Sequence, residues 1–369
     1  MAGEWVLVTE GGDGQSRAAV AAVRALAADG YRPAVTEYDG LSLAGASRHC
    51  ARRVPVPLGE VDAEGYAKAV HAELETRPYL AVFPNTDAAL VALDAPVQHL
   101  INKESSARLA EAAGLPVPPS RVFDNAEALL GAAGELEYPI VVKPVVKRYE
   151  AARVESEQGL EAFAARDGAM IVQPYLRENL RGVVGLMWQG KLMAATHLRY
   201  LRVWPAPCGT IASGTTVAPD AELERRLETL LAGYDGVFHV DLAGPYLLDV
   251  NPRTHASLPV AVIAGANVVS LYCALLRGER VTPVRGRAGL FFRHLEGDLR
   301  SIIWRVRARE MGPAAALDAL RPRRGTVHSF STWRDPGPTR ARLRYVTRRL
   351  SRHNRPPAEA RAKVAQPRT

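Results

Sequence analysis

The sequence predicts an α/β protein, and three observations carry that reading. Over the first hundred residues short apolar runs alternate with helical stretches, the order that builds a parallel sheet. A Gly/Pro-rich linker, GLPVPPS at 114–120, then separates this unit from a second, smaller α/β pattern. Further on, the hairpin-like sequence VFHVDLAGPYLLDVNPR (237–253) ends in polar residues at alternate positions.

The elements follow in order. WVLVT (5–9) reads as a strand, GGDGQS as a loop, and Ser16 to Asp29 as an Ala-rich helix with Val20, Val23 and Leu26 inward. The Gly-rich loop lacks GxGxxG spacing, so a plain turn is preferred to a dinucleotide site. A second strand follows Pro33, and YLAVFP (79–84) is another, leading into NTDAALVALD. A helix starts after Asn102, and Gly114 with Pro116, Pro118 and Pro119 closes it. The smaller unit has strands at YPIVVKPV (138–145) and AMIVQPYL (169–176), with a helix near 157–165. GVVGLMWQGKLMAATHLRYLR (182–202) makes an antiparallel pair turning at Gln189-Gly190. The WPAPCG turn follows, then a helix over about 220–233 and the hairpin.

Composition narrows the class. The 369 residues suffice for two or three domains, and 47% hydrophobic with 23% charged residues is ordinary for a soluble protein. Cys50, Cys208 and Cys273 lie far apart without a CxxC pair, which points to neither a disulfide framework nor a zinc site. A reducing cytoplasm is the expected setting. The start, MAGEWVLVTEGG, passes into a strand rather than a signal peptide. Leu258 to Leu276 carries no charge, yet holds Pro259, Gly265, Asn267 and Ser270, so a buried helix is expected there and no transmembrane segment.

Charge is uneven. Residues 301–369 hold seventeen Lys and Arg against four acids, leaving −5 on the first 300 residues of a chain at +8. In 338–355, Leu343, Val346 and Leu350 form one apolar helical stripe opposite Arg340, Arg342, Arg344, Arg348, Arg349 and Arg352. Docking of this stripe on the body is expected, over anionic lipid or nucleic acid, with PPAEARAKVAQPRT disordered.

Side chains two apart on a strand share a face, so Asp249, Asn251 and Arg253 line up at the end of the apolar run. The short turn at Ala243-Gly244-Pro245 brings Asp241 near Asp249. Two carboxylates and an amide oxygen form an all-oxygen set that suits magnesium; two exposed acids on a hairpin is the plain alternative. Lys143 ends an apolar strand before Pro144 and faces a cleft, unless it is a snorkelling surface lysine. Lys103 adds a cation ahead of a helix, and Pro174 in Ile171 to Leu176 leaves backbone groups free for an adenine edge.

Taken in order, NK…GLPVPPS…YPIVVKP…IVQPYL…LLDVNPR resembles the ATP-grasp superfamily, in its carboxylate–amine ligase or carbamoyl-phosphate-synthase-like branch. The resemblance covers most of residues 1 to about 300. It implies a Rossmann-like pre-ATP-grasp α/β domain (1–100) and an ATP-grasp domain (101–290). The latter divides into a small lysine-bearing subdomain at about 115–176 and a metal-platform subdomain at about 177–290. A basic C-terminal extension (291–369) follows. It also implies ATP held by Lys103 and Lys143, by the hinge Gln173, Pro174, Tyr175 and Leu176, and by Leu248 under the adenine. Asp241, Asp249 and Asn251 match the ligands of Mg2+, with Mn2+ as an alternative. Arg253 matches the arginine that stabilises the acyl phosphate or tetrahedral intermediate.

There are departures. Aspartate stands at 249 where relatives carry glutamate, and PVVKRYEAARV lacks their glycine-rich triphosphate loop, leaving Lys147 or Arg148 to substitute. Glu178 is the nearest ribose-binding acid, with a solvated surface acid equally open. Arg199 and Arg202 occupy a strand and turn where relatives place arginines near phosphate or acid substrate; a solvated strand face is the alternative. His197 and His255 read first as structural histidines, and His255 and Ser257 are also substrate candidates. The implied reaction is ATP-dependent activation of a small-molecule carboxylate, then attack by an amine, in a chain for which a homodimer is allowed. A carboxyphosphate-forming carboxylase type and a degenerate ATP-binding protein are the alternatives. Nucleic acid is not expected, since basic and aromatic residues do not interleave through the body.

Overall fold

The computed structural model describes residues 3–353. It contains three sheets, and each answers to one part of the sequence pattern. The N-terminal sheet is four-stranded and parallel, in the order Arg52–Pro55, Arg32–Glu37, Trp5–Thr9, Tyr79–Pro84. Its central strand runs Val6, Leu7 and Val8 fully buried, as a strand covered on both faces must. The helix Arg17–Ala28 covers one face, with Val20, Val23 and Leu26 inward, and Ser16 caps it by accepting from the Ala19 N–H. Such a cap is worth about 1 kcal/mol.

The small sheet has the order Arg121–Phe123, Met170–Pro174, Ile140–Pro144, Ala152–Val154, all antiparallel. Its core is Phe123, Leu129, Ile140, Val142, Leu160 and Met170. The segment expected as a helix near 157–165 is a 3-10 helix, Glu157–Phe163. Only Leu160 and Phe163 of it are buried, a spacing of three that a 3-10 turn satisfies as well as an α-turn.

The large sheet has eight strands and carries the hairpins. Tyr246–Asn251 lies at one edge, followed by Gly236–Ala243, Leu180–Trp188, Lys191–Trp204, Thr210–Val217, Phe291–Arg293 and Val327–His328. Val284–Arg285 pairs beside Lys191–Trp204. The sheet therefore runs past residue 290, where the sequence reading began a separate extension. Phe291 and Phe292 are buried and pair with Thr215 and Gly214, so apolar content overrides the change in charge.

The uncharged stretch from Leu258 is two helices, Leu258–Ile263 and Val268–Leu276, broken at Gly265, whose φ of 102° only glycine adopts readily. No helix among the described residues is long and apolar enough to cross a membrane.

The basic helix Gly337–His353 docks on the body, but not by the stripe expected for it. Leu343 is 62% exposed, while Ala341 is buried and Arg342 and Tyr345 make the polar contacts. Polar pairing on the face of Arg342 and Tyr345, rather than burial of Leu343, goes with this rotation. The Leu350 side chain and the segment PPAEARAKVAQPRT lie outside the described residues.

Candidate active site

A cavity of about 980 Å³ runs between the three sheets, from the hinge at Gln173–Leu176 to the loop at 12–16. At one end stands Lys143, on the strand Ile140–Pro144. Its ammonium is buried and donates to the Leu248 carbonyl at 2.8 Å, so the two subdomains meet across it. Burial pushes the Lys143 pKa down to about 8, with Asp249 opposing the shift and Lys103 adding to it. Lys103 opens the helix Lys103–Ala112, capped by Asn102, and its ammonium lies 3.5 Å from the Asp249 carboxylate.

The hinge is positioned by its backbone. The Tyr175 N–H donates to Pro139 O at 3.0 Å, and the Gln173 side chain is spent on Ser120 Oγ at 2.8 Å. The Leu176 N–H has no acceptor among the described residues. Leu248 lines the cavity opposite, half-buried, and Arg153 stacks on Tyr175 at 4.2 Å. Pro174, Tyr175 and Leu176 all line the cavity, as do Lys147 and Arg148.

The acidic platform forms on the hairpin, whose two-residue turn sets Ala243 opposite Tyr246 and whose register shift between Asp241 and Leu242 then skips Leu248. Gly244 takes φ 54° there, and Asp241 becomes the cross-strand partner of Asp249. Asn251 follows on the same strand, its Nδ2 3.4 Å from Asp241 Oδ2. Tyr200 donates to Asp241 at 2.7 Å, and His239 Nε2 lies 3.1 Å from the same oxygen. Burial would raise the Asp241 pKa, but His239, His255 and the Tyr200 hydroxyl outweigh it and hold the carboxyl well below its usual range. An ionised carboxylate and a second acid fit a hard cation such as magnesium, while the Asn251 amide turns its nitrogen to Asp241 and its oxygen to Arg253.

A rival donor set does not fit one ion. His239, Asp241 and His255 each offer an atom within 4.8 Å of the others. The two imidazoles, however, stack at 3.8 Å with planes 13° apart. Nearly parallel rings at that spacing cannot both aim an in-plane lone pair at one cation. They form a relay instead: Ser257 Oγ bridges His239 Nδ1 and His255 Nδ1, each at 3.2 Å.

Arg253 lines the cavity and is almost fully engaged. It forms a bidentate pair with Asp87 (2.6 and 3.2 Å), donates to Asn251 Oδ1 at 2.8 Å and approaches Thr254 O at 3.3 Å. Both partners are buried, and although burial opposes ionisation of each, the pairing lowers the Asp87 pKa and raises that of Arg253. Asp87 opens the short helix Asp87–Ala92 that follows the strand Tyr79–Pro84, so this pair ties the N-terminal sheet to the platform.

Four expected site residues are not brought together with these. Arg202 is buried in a bidentate pair with Asp298 (2.5 and 3.3 Å), a structural bond in the sheet-to-helix packing. Arg199 is exposed on its strand and does not line the cavity. Glu178 is exposed beside the Gly244 turn, outside the lining. Ser257 is fully buried behind His255, which alone of the two reaches the cavity.

Sequence reasoning missed Asp87, Glu10, Arg17, Tyr200 and His239. Glu10 ends the first strand and receives Ser42 Oγ at 2.9 Å; burial pushes its pKa up to about 8. Arg17 donates to Thr210 Oγ1 at 2.7 Å and to Ile211 O. The signal for Asp87 and Glu10 was an acid just beyond an apolar strand, directly for Glu10 and by three residues for Asp87, which spacing alone does not distinguish from a turn residue.

No family model matches the sequence, and no curated protein matches it. Solved structures do. The L-amino acid ligase from Bacillus licheniformis superposes with TM-score 0.58 at 18% identity, over 75% of each chain. The carboxyaminoimidazole ribonucleotide synthase from Aspergillus clavatus, complexed with ATP, gives 0.60 at 15% identity over 78% of this chain and 80% of that one. The chain has the ATP-grasp fold. Within that fold the biotin carboxylase domain of a Hydrogenobacter thermophilus 2-oxoglutarate carboxylase, solved with MgADP and bicarbonate, is also similar. It gives 0.58 at 14% identity over 79% of this chain and 74% of that one. This ATP-grasp chain thus keeps the architecture at identities where the side chains of the site must be judged one by one.

Proposed function

We propose that this protein is an ATP-dependent carboxylate–amine ligase that forms an amide bond and releases ADP and phosphate. The observation that carries the reading is the convergence of Asp241, Asp249 and Asn251 with Lys103, Lys143 and Arg253 on one cavity wall. In this reading a substrate carboxylate oxygen attacks the γ-phosphorus of ATP, and the bond to the bridging oxygen breaks to leave ADP. An amine nitrogen then attacks the acyl carbon, loses a proton, and displaces phosphate.

Two anions meet in the first step, so fixed positive charge must offset their repulsion. Lys103 and Lys143 lie where they would hold the ATP phosphates, and Lys147 and Arg148 border the region left without a glycine-rich loop. Pro174, Tyr175 and Leu176 line the cavity where their backbone would meet an adenine edge, and Leu248 lines it where it would pack on the ring. Asp241, Asp249 and Asn251 would hold magnesium, or manganese, which would add charge at the phosphates. Arg253 orients the activated carbonyl; its engagement with Asp87 fixes the guanidinium before substrate arrives.

The similarity to an L-amino acid ligase supports amino acids as the first substrates to try. The test is ADP release by the wild-type chain with magnesium across pairs of amino acids, with and without bicarbonate. Turnover that needs two amino acids, with one product bond per ADP, meets the expectation. Turnover that depends on bicarbonate moves the protein to the carboxyphosphate-forming type, and MgATP binding without any turnover marks a degenerate binder.

A further inference from the structure

The basic C-terminal helix has no role in the reading above, and its docking is specific. The segment ahead of it is anchored on the N-terminal sheet. Asp335, buried, accepts from Arg24 at 2.9 Å, Ser47 Oγ at 2.7 Å and the Arg48 N–H at 3.1 Å. At Gly337 a Cβ would stand 1.9 Å from Ala46 O, so the backbones touch there and only glycine fits. One turn on, Arg342 forms a two-bond pair with Glu296 (2.9 and 2.8 Å), which Arg300 also approaches at 3.0 Å. Its remaining nitrogen donates to Gln15 Oε1 at 3.1 Å, while Gln15 Nε2 donates to Leu41 O at 3.1 Å. Tyr345 donates to Asp13 Oδ2 at 2.5 Å, and the other Asp13 oxygen accepts the Gln15 N–H at 3.3 Å.

Asp13 and Gln15 line the cavity, in the loop between the first strand and its helix. A seven-residue loop with three glycines has little stiffness of its own, and each fixed backbone residue costs about 1–2 kcal/mol of entropy. Contacts from outside must hold it. Here both of its long polar side chains are held by a segment more than three hundred residues away in sequence. The same loop leads into Arg17, which reaches across to Thr210.

We propose that the helix Gly337–His353 is an intramolecular clamp on the 12–16 loop, with Arg342 and Tyr345 as positioning residues for the end of the cavity opposite the nucleotide. This rests on the ligase reading only in taking that end as the substrate end. The clamp accounts for Arg342 and Tyr345: Arg342 answers Glu296 and Gln15, and Tyr345 answers the loop acid Asp13.

The experiment is hydrogen exchange on the full chain, with MgADP affinity measured by calorimetry on the same samples. In Arg342→Ala the amides of residues 11–17 should exchange on the order of tenfold faster, and in Tyr345→Phe a few-fold faster. Arg342→Lys, which keeps the charge opposite Glu296 but cannot also reach Gln15, should fall between. MgADP affinity should stay within about twofold in all three, because the lost contacts are local. Unchanged exchange in the loop, or acceleration spread evenly over the chain, overturns the clamp. A chain that fails to bind MgADP yet shows the loop effect sinks the nucleotide reading and keeps the clamp. With an amino-acid pair that turns over, Arg342→Ala should raise the KM of an amino acid several-fold and leave that of ATP unchanged; the reverse pattern also overturns it.

Discussion

The two ends of the cavity are built by different rules. At the hinge end, backbone groups and residues at strand ends do the positioning: Lys143 on one strand, Leu248 O on another, and the Leu176 N–H beside them. At the far end, long-range side-chain pairs do it: Arg253 with Asp87, Arg17 with Thr210, Arg342 with Gln15. A hinge made of backbone tolerates sequence change because every residue carries the same N–H and C=O. A pocket made of distant side-chain pairs is specific to its own chain, which is where chains of one fold come to differ in substrate.

The sharpest break should come at the platform between the two ends. Asp249→Asn keeps the size of the side chain and removes the charge, and ADP formation with a competent substrate pair should fall by at least about a hundredfold, while the thermal melt barely moves. Wild-type turnover in this variant would remove Asp249 from the platform. Next is the Asp87 and Arg253 pair. Asp87→Ala leaves a buried guanidinium without its carboxylate and should cost about 3–5 kcal/mol in chemical denaturation. A loss under 1 kcal/mol would mean that water replaces the carboxylate and that the pair does not tie the sheets together.

The hinge end predicts smaller effects and a pH dependence. Lys143→Ala should weaken MgATP about tenfold, ~1.4 kcal/mol for one charge-assisted contact. The Lys143 ammonium has a folded-state pKa near 8, below the ordinary 10.5. The folded chain therefore releases this proton before the unfolded chain does, so this residue penalises folding fully below pH 8 and less as pH rises from 8 toward 10.5. MgATP needs the ammonium form, so affinity should fall as pH climbs past about 8 in the wild type and stay flatter in Lys143→Ala. Parallel profiles would assign the dependence to another group. The smallest effect belongs to Glu178→Ala, which should leave MgATP affinity within about twofold, because an exposed residue outside the cavity lining contributes little. A tenfold loss would restore it as the ribose acid.

Much of the hinge end was legible because its signals are local. A lysine closing an apolar strand, a proline inside another, and a carboxylate, an amide and a guanidinium at alternate positions at a strand end each constrain a few consecutive residues. Arg202 shows where that logic stops. Its strand was read correctly, but its partner Asp298 lies 96 residues on, and the pairing buries the guanidinium away from the cavity. The expected stripe of the last helix failed for a related reason. Leu343 stays exposed and Val346 is half-buried, while the ion pair and hydrogen bonds of Arg342 and Tyr345 hold the neighbouring face.

By itself the sequence determined the alternation of elements, the helix starts at Ser16 and Asn102, the hairpin that brings Asp241 near Asp249, and the lysines at the cavity wall. These depend on backbone geometry within a dozen or so residues, where periodicity and turn chemistry act directly. Only the tertiary structure decided that Asp87 holds Arg253, that His239, His255 and Ser257 form a relay, and that the basic helix reaches the loop at 12–16. Those are choices among many charged and polar partners of equal local propensity, and the packing of three sheets selects one by bringing it within hydrogen-bond distance while excluding water from the rest.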